Sequence, residues 1–233
     1  MSVAVLLPGL DGTGKLLEDF TRSLGLVCAT KTISYPANLA SSYAELEFLA
    51  QAALPVDEPY ILIGESFSGP IAIALAAKAP QGLRGLVLCA TFARCPLPLL
   101  GPFVSFARFA PARLPMPVLR YLLLGKWATA SIERSLEEAL REIPPDVLRA
   151  RVSEVLRVDV SRQLRAVEVP VMYLQAARDR LIPSTAGKYL RQVLPSMEFV
   201  QVDGPHFLLQ AAPENCIGRI SRFAKRVGLQ VRQ

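Results

Sequence analysis

A single histidine, His206, stands in the 233 residues, so any imidazole chemistry of this chain rests on one side chain. It follows an apolar run, in Val202-Asp203-Gly204-Pro205-His206-Phe207. Gly64-Glu65-Ser66-Phe67-Ser68 supplies a candidate nucleophile. A serine held between small neighbours on a sharp strand-to-helix turn exposes its Oγ and aims the next backbone N–H groups at a substrate oxygen. The fifth position of that pattern is Ser68 in place of glycine, with Gly69 next, and serine is small enough to be tolerated there. Asp179, just past Val171-Met172-Tyr173-Leu174, supplies an orienting carboxylate. Ser66, Asp179 and His206 thus occur in the Ser, Asp, His order of one class of serine-dependent acyl chemistry. In it the histidine takes the serine proton and the aspartate fixes the imidazole tautomer. Asp203 is the alternative acid, but three residues before His206 on the same strand end it is poorly placed to reach Nδ1.

A second motif competes. Gly9-Leu10-Asp11-Gly12-Thr13-Gly14-Lys15 matches a phosphate-binding loop through its lysine and lies between a strand and a helix. The following residue should carry a hydroxyl for Mg²⁺ and is Leu16, and Pro8 precedes the first glycine. Glycines that permit a tight strand-to-helix turn explain the same residues, so nucleotide binding is the remote alternative.

These groups must be positioned by alternating strands and helices. Short apolar runs at Val3–Leu7, Tyr60–Ile63, Leu86–Cys89 and Val171–Leu174, with strand-like stretches near Val27–Ile33 and at Glu198–Val202, read as strands, most of them apolar on both faces. Between them lie helical patterns: Leu16, Leu17, Phe20 and Leu24; a helix capped by Ser41-Ser42 with Leu46, Leu49, Ala53 and Leu54 near one face; and an Ala-rich helix from about Pro70 to Lys78. Later helices are expected over about 184–194 and from about Pro213. The alternation predicts an α/β fold, a mainly parallel sheet with helices on both faces. Residues 93–160 break it with six prolines in positions 96–117 and then helical stretches at 118–141 and 145–158. That segment reads as a helical cap inserted between the strands ending near Cys89 and Leu174, leaving residues 1–92 and 161–233 as the core domain. Because parallel strands end on one edge of their sheet, Ser66, Asp179 and His206 converge there by topology.

Composition narrows the classes. Cysteines at 28, 89, 95 and 216 form no CxxC pair and, with one histidine, no zinc cluster; no metal or other cofactor is expected. No signal-peptide pattern leads the chain, and the uncharged stretch between Arg94 and Arg108 is too short and proline-broken for a transmembrane segment. A cytoplasmic protein is the expectation. The net charge of +6 is carried by 20 arginines and six lysines dispersed along the chain, with no nucleic-acid motif beside them. One asymmetry stands out: Phe92 to Ser131 holds Arg94, Arg108, Arg113, Arg120 and Lys126 and no acid.

From residue 3 to about 228 the chain resembles the α/β-hydrolases, and within them small cap-bearing serine esterases of the pimeloyl-carrier-protein methyl ester esterase type. The resemblance rests on Leu6-Leu7-Pro8-Gly9-Leu10, Gly64-Glu65-Ser66-Phe67-Ser68-Gly69, Val169-Pro170-Val171 through Asp179-Arg180-Leu181-Ile182-Pro183, and Gly204-Pro205-His206-Phe207. Asp159 to Leu164 resembles the short helix before the acid-bearing strand, with Asp159 as a cap. The chain departs from the pattern at Pro8, where His is usual, at Ser68, and in lacking the N-terminal hairpin of larger members. The resemblance implies a carboxylesterase acting on short-to-medium acyl chains, with a thioesterase as an alternative. It implies catalytic Ser66, Asp179 and His206, with the backbone N–H groups of Leu10 and Phe67 as the oxyanion hole. Phe103, Phe106, Leu123 and Trp127 of the apolar cap are expected to bind a small-molecule ester substrate. The basic face of the cap could receive an acidic acyl carrier protein.

Overall fold

The computed structural model describes residues 2–97 and 114–231. Six strands form one parallel sheet: β1 (Val3–Leu7), β2 (Ala29–Thr32), β3 (Tyr60–Glu65), β4 (Leu83–Cys89), β5 (Val171–Ala176) and β6 (Glu198–Val202), in the order β2-β1-β3-β4-β5-β6. Strand pleating sends alternate side chains to opposite faces. Val5, Leu7, Leu62, Leu88 and Tyr173 enter one core cluster, while Ala4, Leu6, Ile63, Val87 and Leu174 enter the other. Both faces are covered over the central strands β1, β3, β4 and β5, which read as apolar runs, whereas the edge strands β2 and β6 carry exposed positions.

The first face is covered by α2 (Tyr43–Ala52), α3 (Gly69–Ala77), α7 (Ser161–Arg165) and α8 (Ser184–Val193), through Leu46, Ile71, Leu164 and Leu190. The second face is covered by α1 (Glu18–Gly25), α9 (Leu208–Ala211) and α10 (Pro213–Arg226), through Phe20, Leu24, Leu208, Ile220 and Phe223. Helix α2 starts with a capping box in which Ser42 and Glu45 satisfy each other's backbone N–H. Its buried positions are Leu46 and Ala50; Leu49, expected on the inner face, is exposed. Helix α3 is apolar all round and almost fully buried beneath the turn that carries Ser66.

Between β4 and β5 the chain forms α4 (Met116–Leu119), a π-helical turn (Arg120–Leu124), α5 (Ala130–Arg141) and α6 (Pro145–Arg157). The ends of this stretch are laced together. Val160 N donates to Ala93 O at 2.7 Å, Cys95 N donates to Val158 O at 2.9 Å, and Arg94 and Asp159 form an antiparallel bridge. Asp159, expected as the cap of α7, stands one residue before the N-cap position, which is Val160, and accepts from Ser161 N at 2.9 Å at the helix start. Two small apolar clusters seat the segment. Leu123, Leu124 and Leu136 pack with Leu16, Leu181 and Phe207, and Ile143, Val147 and Leu148 pack with Leu10. These contacts fall on the loops after β1, β5 and β6, at the carboxyl edge of the sheet. No helix among the described residues is long and apolar enough to cross a membrane.

Candidate active site

Strand order reverses between β1 and β3, so the loops after these two strands diverge and leave a crevice at the carboxyl edge. Ser66 stands there, directly after β3, with φ +47°. The left-handed region disfavours any residue with a Cβ, and such a conformation persists only where its surroundings over-determine it. Here they do. Thr91 Oγ1 donates to Ser66 O. A Cβ on Gly64 would lie 2.7 Å from Ala72 Cβ, and one on Gly69 would collide with the Thr91 side chain. Only residues without a side chain let β3, α3 and the loop after β4 close around the serine.

Ser68 is accommodated for a specific reason. Its buried Oγ donates to Pro8 O and accepts from Tyr35 Oη at 2.7 Å. The hydroxyl that replaces the expected glycine therefore ties the serine turn to the end of β1. Burial pushes the Tyr35 phenol pKa up, so it stays a neutral donor.

The three polar residues singled out in the sequence are brought together. Ser66 Oγ lies 2.8 Å from His206 Nε2, and His206 Nδ1 lies 2.9 Å from Asp179 Oδ2. The side chains of His206 and Asp179 are each only 2% exposed. Asp179 Oδ1 also accepts from Leu181 N at 2.9 Å and Ile182 N at 2.7 Å, so its carboxylate is fixed before it meets the imidazole. Backbone bonds from Phe207 N to Leu123 O and from Leu208 N to His206 O hold the histidine loop. Asp203 turns away: it is exposed and pairs with Arg178. An Nδ1–H donated to Asp179 leaves Nε2 unprotonated and facing the serine hydroxyl, an arrangement that can withdraw the serine proton.

Glu65, beside Ser66, is buried and accepts from Gln210 Nε2 at 3.0 Å. Burial raises its pKa to about 7 against the lowering effect of that hydrogen bond, and the nearby Asp11 raises it further.

The Gly9–Lys15 loop is filled from the protein side. The guanidinium of Arg151 lies against Gly12, and Lys15 is turned outward to Glu142. Leu10 N–H has no acceptor among the described residues. Phe67 is 1% exposed, its ring stacked on Tyr43 at 4.8 Å between centroids. Leu123 is buried in the cluster that touches Phe207. Trp127 lines an open cleft of about 480 Å³ with Lys126, Arg178, Asp179 and Arg180. Phe103 and Phe106, like Arg108 and Arg113, lie outside the described residues. Of the remaining basic residues, Arg120 pairs with Glu133, and Arg94 stacks on the Tyr189 ring at 3.6 Å. Sequence reading missed Arg151, Tyr43 and Thr91, which act through contacts with residues distant in the chain.

A family model described as the alpha/beta hydrolase family matches residues 2–219. The pimeloyl-[acyl-carrier protein] methyl ester esterase of Neisseria meningitidis is 26% identical over 213 residues, covering 85% of this chain and 83% of that protein. A protein described as a putative carbamate hydrolase from Caulobacter is 25% identical over 237 residues, covering 90% and 85%. Among solved structures, a lipase-esterase related protein from Clostridium acetobutylicum aligns with TM-score 0.77 at 15% identity, covering 95% of this chain and 94% of that one. The enol-lactonase of Burkholderia xenovorans aligns at 0.75 with 14% identity, covering 96% and 91%. At these identities the structural likeness speaks to the fold.

Proposed function

The chain belongs to the alpha/beta hydrolase family, and from that premise we propose that it is a serine carboxylesterase acting through Ser66, His206 and Asp179. The observation that carries this reading is the continuous hydrogen-bonded chain from Ser66 Oγ through His206 to Asp179, at 2.8 and 2.9 Å. Ser66 Oγ attacks the ester carbonyl as its proton passes to His206 Nε2. The carbonyl oxygen becomes an oxyanion facing the N–H groups of Leu10 and Phe67. His206 returns the proton to the leaving alcohol as the C–O bond breaks, and an acyl-Ser66 ester remains. Water, deprotonated by His206, attacks that ester and releases the carboxylic acid. Asp179 orients the imidazole and stabilises its protonated form.

In this reading residues 1–92 and 161–233 are the hydrolase core and 93–160 the cap, whose entry and exit segments are the laced pair at 93–95 and 158–160. The cap covers the acyl group, with Leu123 and Trp127 in its wall, and favours short-to-medium acyl chains. We place the enzyme in the cytoplasm, with its four cysteines as free thiols. A carrier-linked ester is the second reading. It is supported by the relatives that act on a carrier-protein methyl ester and by the cationic rim of Lys126, Arg178 and Arg180 on the cleft beside Asp179.

The test is a panel of p-nitrophenyl esters of increasing chain length, acyl-CoA thioesters and a carrier-bound methyl ester, run on wild type and Ser66→Ala. The reading expects a chain-length optimum that vanishes in Ser66→Ala. Esterase activity that survives this substitution would sink it. Thioester turnover exceeding that of the matched oxyester would make the enzyme a thioesterase.

A further inference from the structure

Helix α6 reaches from the inserted segment into the loop that carries Leu10 and, through Tyr43 of α2, is linked to the turn that carries Phe67. Arg151, near its middle, has a side chain with no exposed surface. A buried guanidinium is costly unless its N–H groups find partners. Nη1 donates to Leu10 O at 2.8 Å and Asp11 O at 2.6 Å, and Nη2 donates to Pro36 O at 3.0 Å. Gly12 makes this approach feasible, since a Cβ there would fall 2.6 Å from Nη1. One turn along α6, Glu154 Oε2 accepts from Tyr43 N at 2.7 Å. Tyr43 Oη in turn donates to Phe67 O at 2.9 Å.

The pattern has a geometric consequence. The direction of an N–H bond is set by its own rigid peptide plane and, through the adjoining Cα, by the next one. The Gly9–Leu10 plane, which carries Leu10 N–H, is held by Gly12 N on Gly9 O at 3.0 Å, and the next plane is held by Arg151 on Leu10 O. The plane that carries Phe67 N–H is held by Thr91 on Ser66 O, and the next by Tyr43 on Phe67 O. Each proposed donor is thus fixed on both sides; α6 supplies the outer tie on Leu10 directly through Arg151, and on Phe67 indirectly, by holding Tyr43 of α2 through Glu154.

We propose that Arg151 and Tyr43 are positioning residues for the oxyanion hole: seated by α6, they hold the Leu10 and Phe67 N–H groups on the substrate oxygen. The inference rests on the assignment of those two N–H groups in the proposed function. Neither side chain touches substrate. Their loss should therefore slow the chemical step and leave ground-state binding nearly intact.

The experiment compares wild type, Arg151→Lys and Tyr43→Phe on p-nitrophenyl butyrate. It also compares inhibition by an alkyl trifluoromethyl ketone, which binds as a serine adduct with an oxyanion, and by the matching methyl ketone. Removing a donor outright costs about 100- to 1,000-fold, so disordering one should lower kcat about tenfold or more in Arg151→Lys. Tyr43→Phe keeps the ring stack on Phe67 and should lower kcat about threefold or more, with KM in both variants within about threefold of wild type. Affinity for the trifluoromethyl ketone should fall in step with kcat/KM while that for the methyl ketone holds. Wild-type kcat in both variants, or equal losses for the two ketones, overturns the proposal. If Arg151→Lys does not fold, Tyr43→Phe decides, since it removes one hydroxyl. Should Ser66→Ala retain esterase activity, the failure lies in the proposed function. If Ser66→Ala is inactive and both variants turn over like wild type, only the positioning role fails.

Discussion

Ser66 Oγ meets His206 Nε2 at 2.8 Å across 140 positions of sequence, on a backbone held at φ +47°. Two loops that never approach each other along the chain are brought into register by the parallel sheet, and one partner is held in a conformation that only its packing sustains. The pair should act as a unit. Ser66→Ala and His206→Ala are each expected to lower kcat by about 10⁴-fold or more, and the double variant should be no slower than the worse single one. Full additivity in a double-mutant cycle would show that the two side chains do not share one step.

Asp179 is held by two backbone N–H groups on Oδ1 and faces His206 with Oδ2. Asp179→Asn must either break those loop contacts or present its NH₂ to Nδ1, which forces the imidazole into the tautomer with Nε2 protonated. A fall in kcat of about 10⁴-fold is expected, with KM little changed. Asp203→Asn should stay within about twofold of wild type, because its exposed pair with Arg178 contributes little. Steady-state kinetics on the two variants distinguishes the acids. The opposite ranking would move the orienting role to Asp203.

Ser68 offers a stability test beside the site. Ser68→Ala leaves Pro8 O without its donor and Tyr35 Oη without its acceptor, both in the core. Each stranded buried group costs about 1–3 kcal/mol, so denaturant unfolding should show a loss of roughly 2–6 kcal/mol. Ser68→Gly, which restores the residue the serine-turn motif expects, should be no more stable than Ser68→Ala. Recovery to wild-type stability in the glycine variant would mean that the hydroxyl bonds contribute nothing.

What was legible in the sequence follows from how local each signal is. The central strands β1, β3, β4 and β5 show because burial on both faces makes them apolar runs, and the serine turn shows because its glycines stand at fixed spacing around Ser66, Gly64 closing on Ala72 and Gly69 on Thr91. Asp179 and His206 show because each sits just past a strand end, where topology alone decides the company they keep. Arg151 gave no such signal. On α6 it stands between Arg149 and Arg157, and nothing in its neighbours marks it as the one whose guanidinium fills a glycine-lined loop 141 residues away. Tyr43 and Thr91 are silent for the same reason, since their partners lie on other strands' loops. The serines at 41 and 42 predict a cap, and Ser42 forms it, whereas Leu49 of the same helix, expected on its inner face, is exposed.

Glu65 makes stability depend on pH. Burial raises its folded-state pKa from 4.5 to about 7, with Asp11, His206, Cys89 and Cys216 as the titratable groups that interact with it and Gln210 as its hydrogen-bond donor. A carboxyl with a higher pKa folded than unfolded binds its proton more tightly in the folded state. Its contribution is therefore greatest below about pH 4.5 and is lost as pH rises through about 7. A shift of this size is worth roughly 3 kcal/mol. Glu65→Gln removes the titration while its Oε1 can still accept from Gln210 Nε2. Chemical denaturation across pH 5 to 8 should find the variant losing less stability than wild type over that range, and more stable than wild type at pH 8. Parallel profiles for the two proteins would place the ionisation of Glu65 outside that window and leave the slope to other groups.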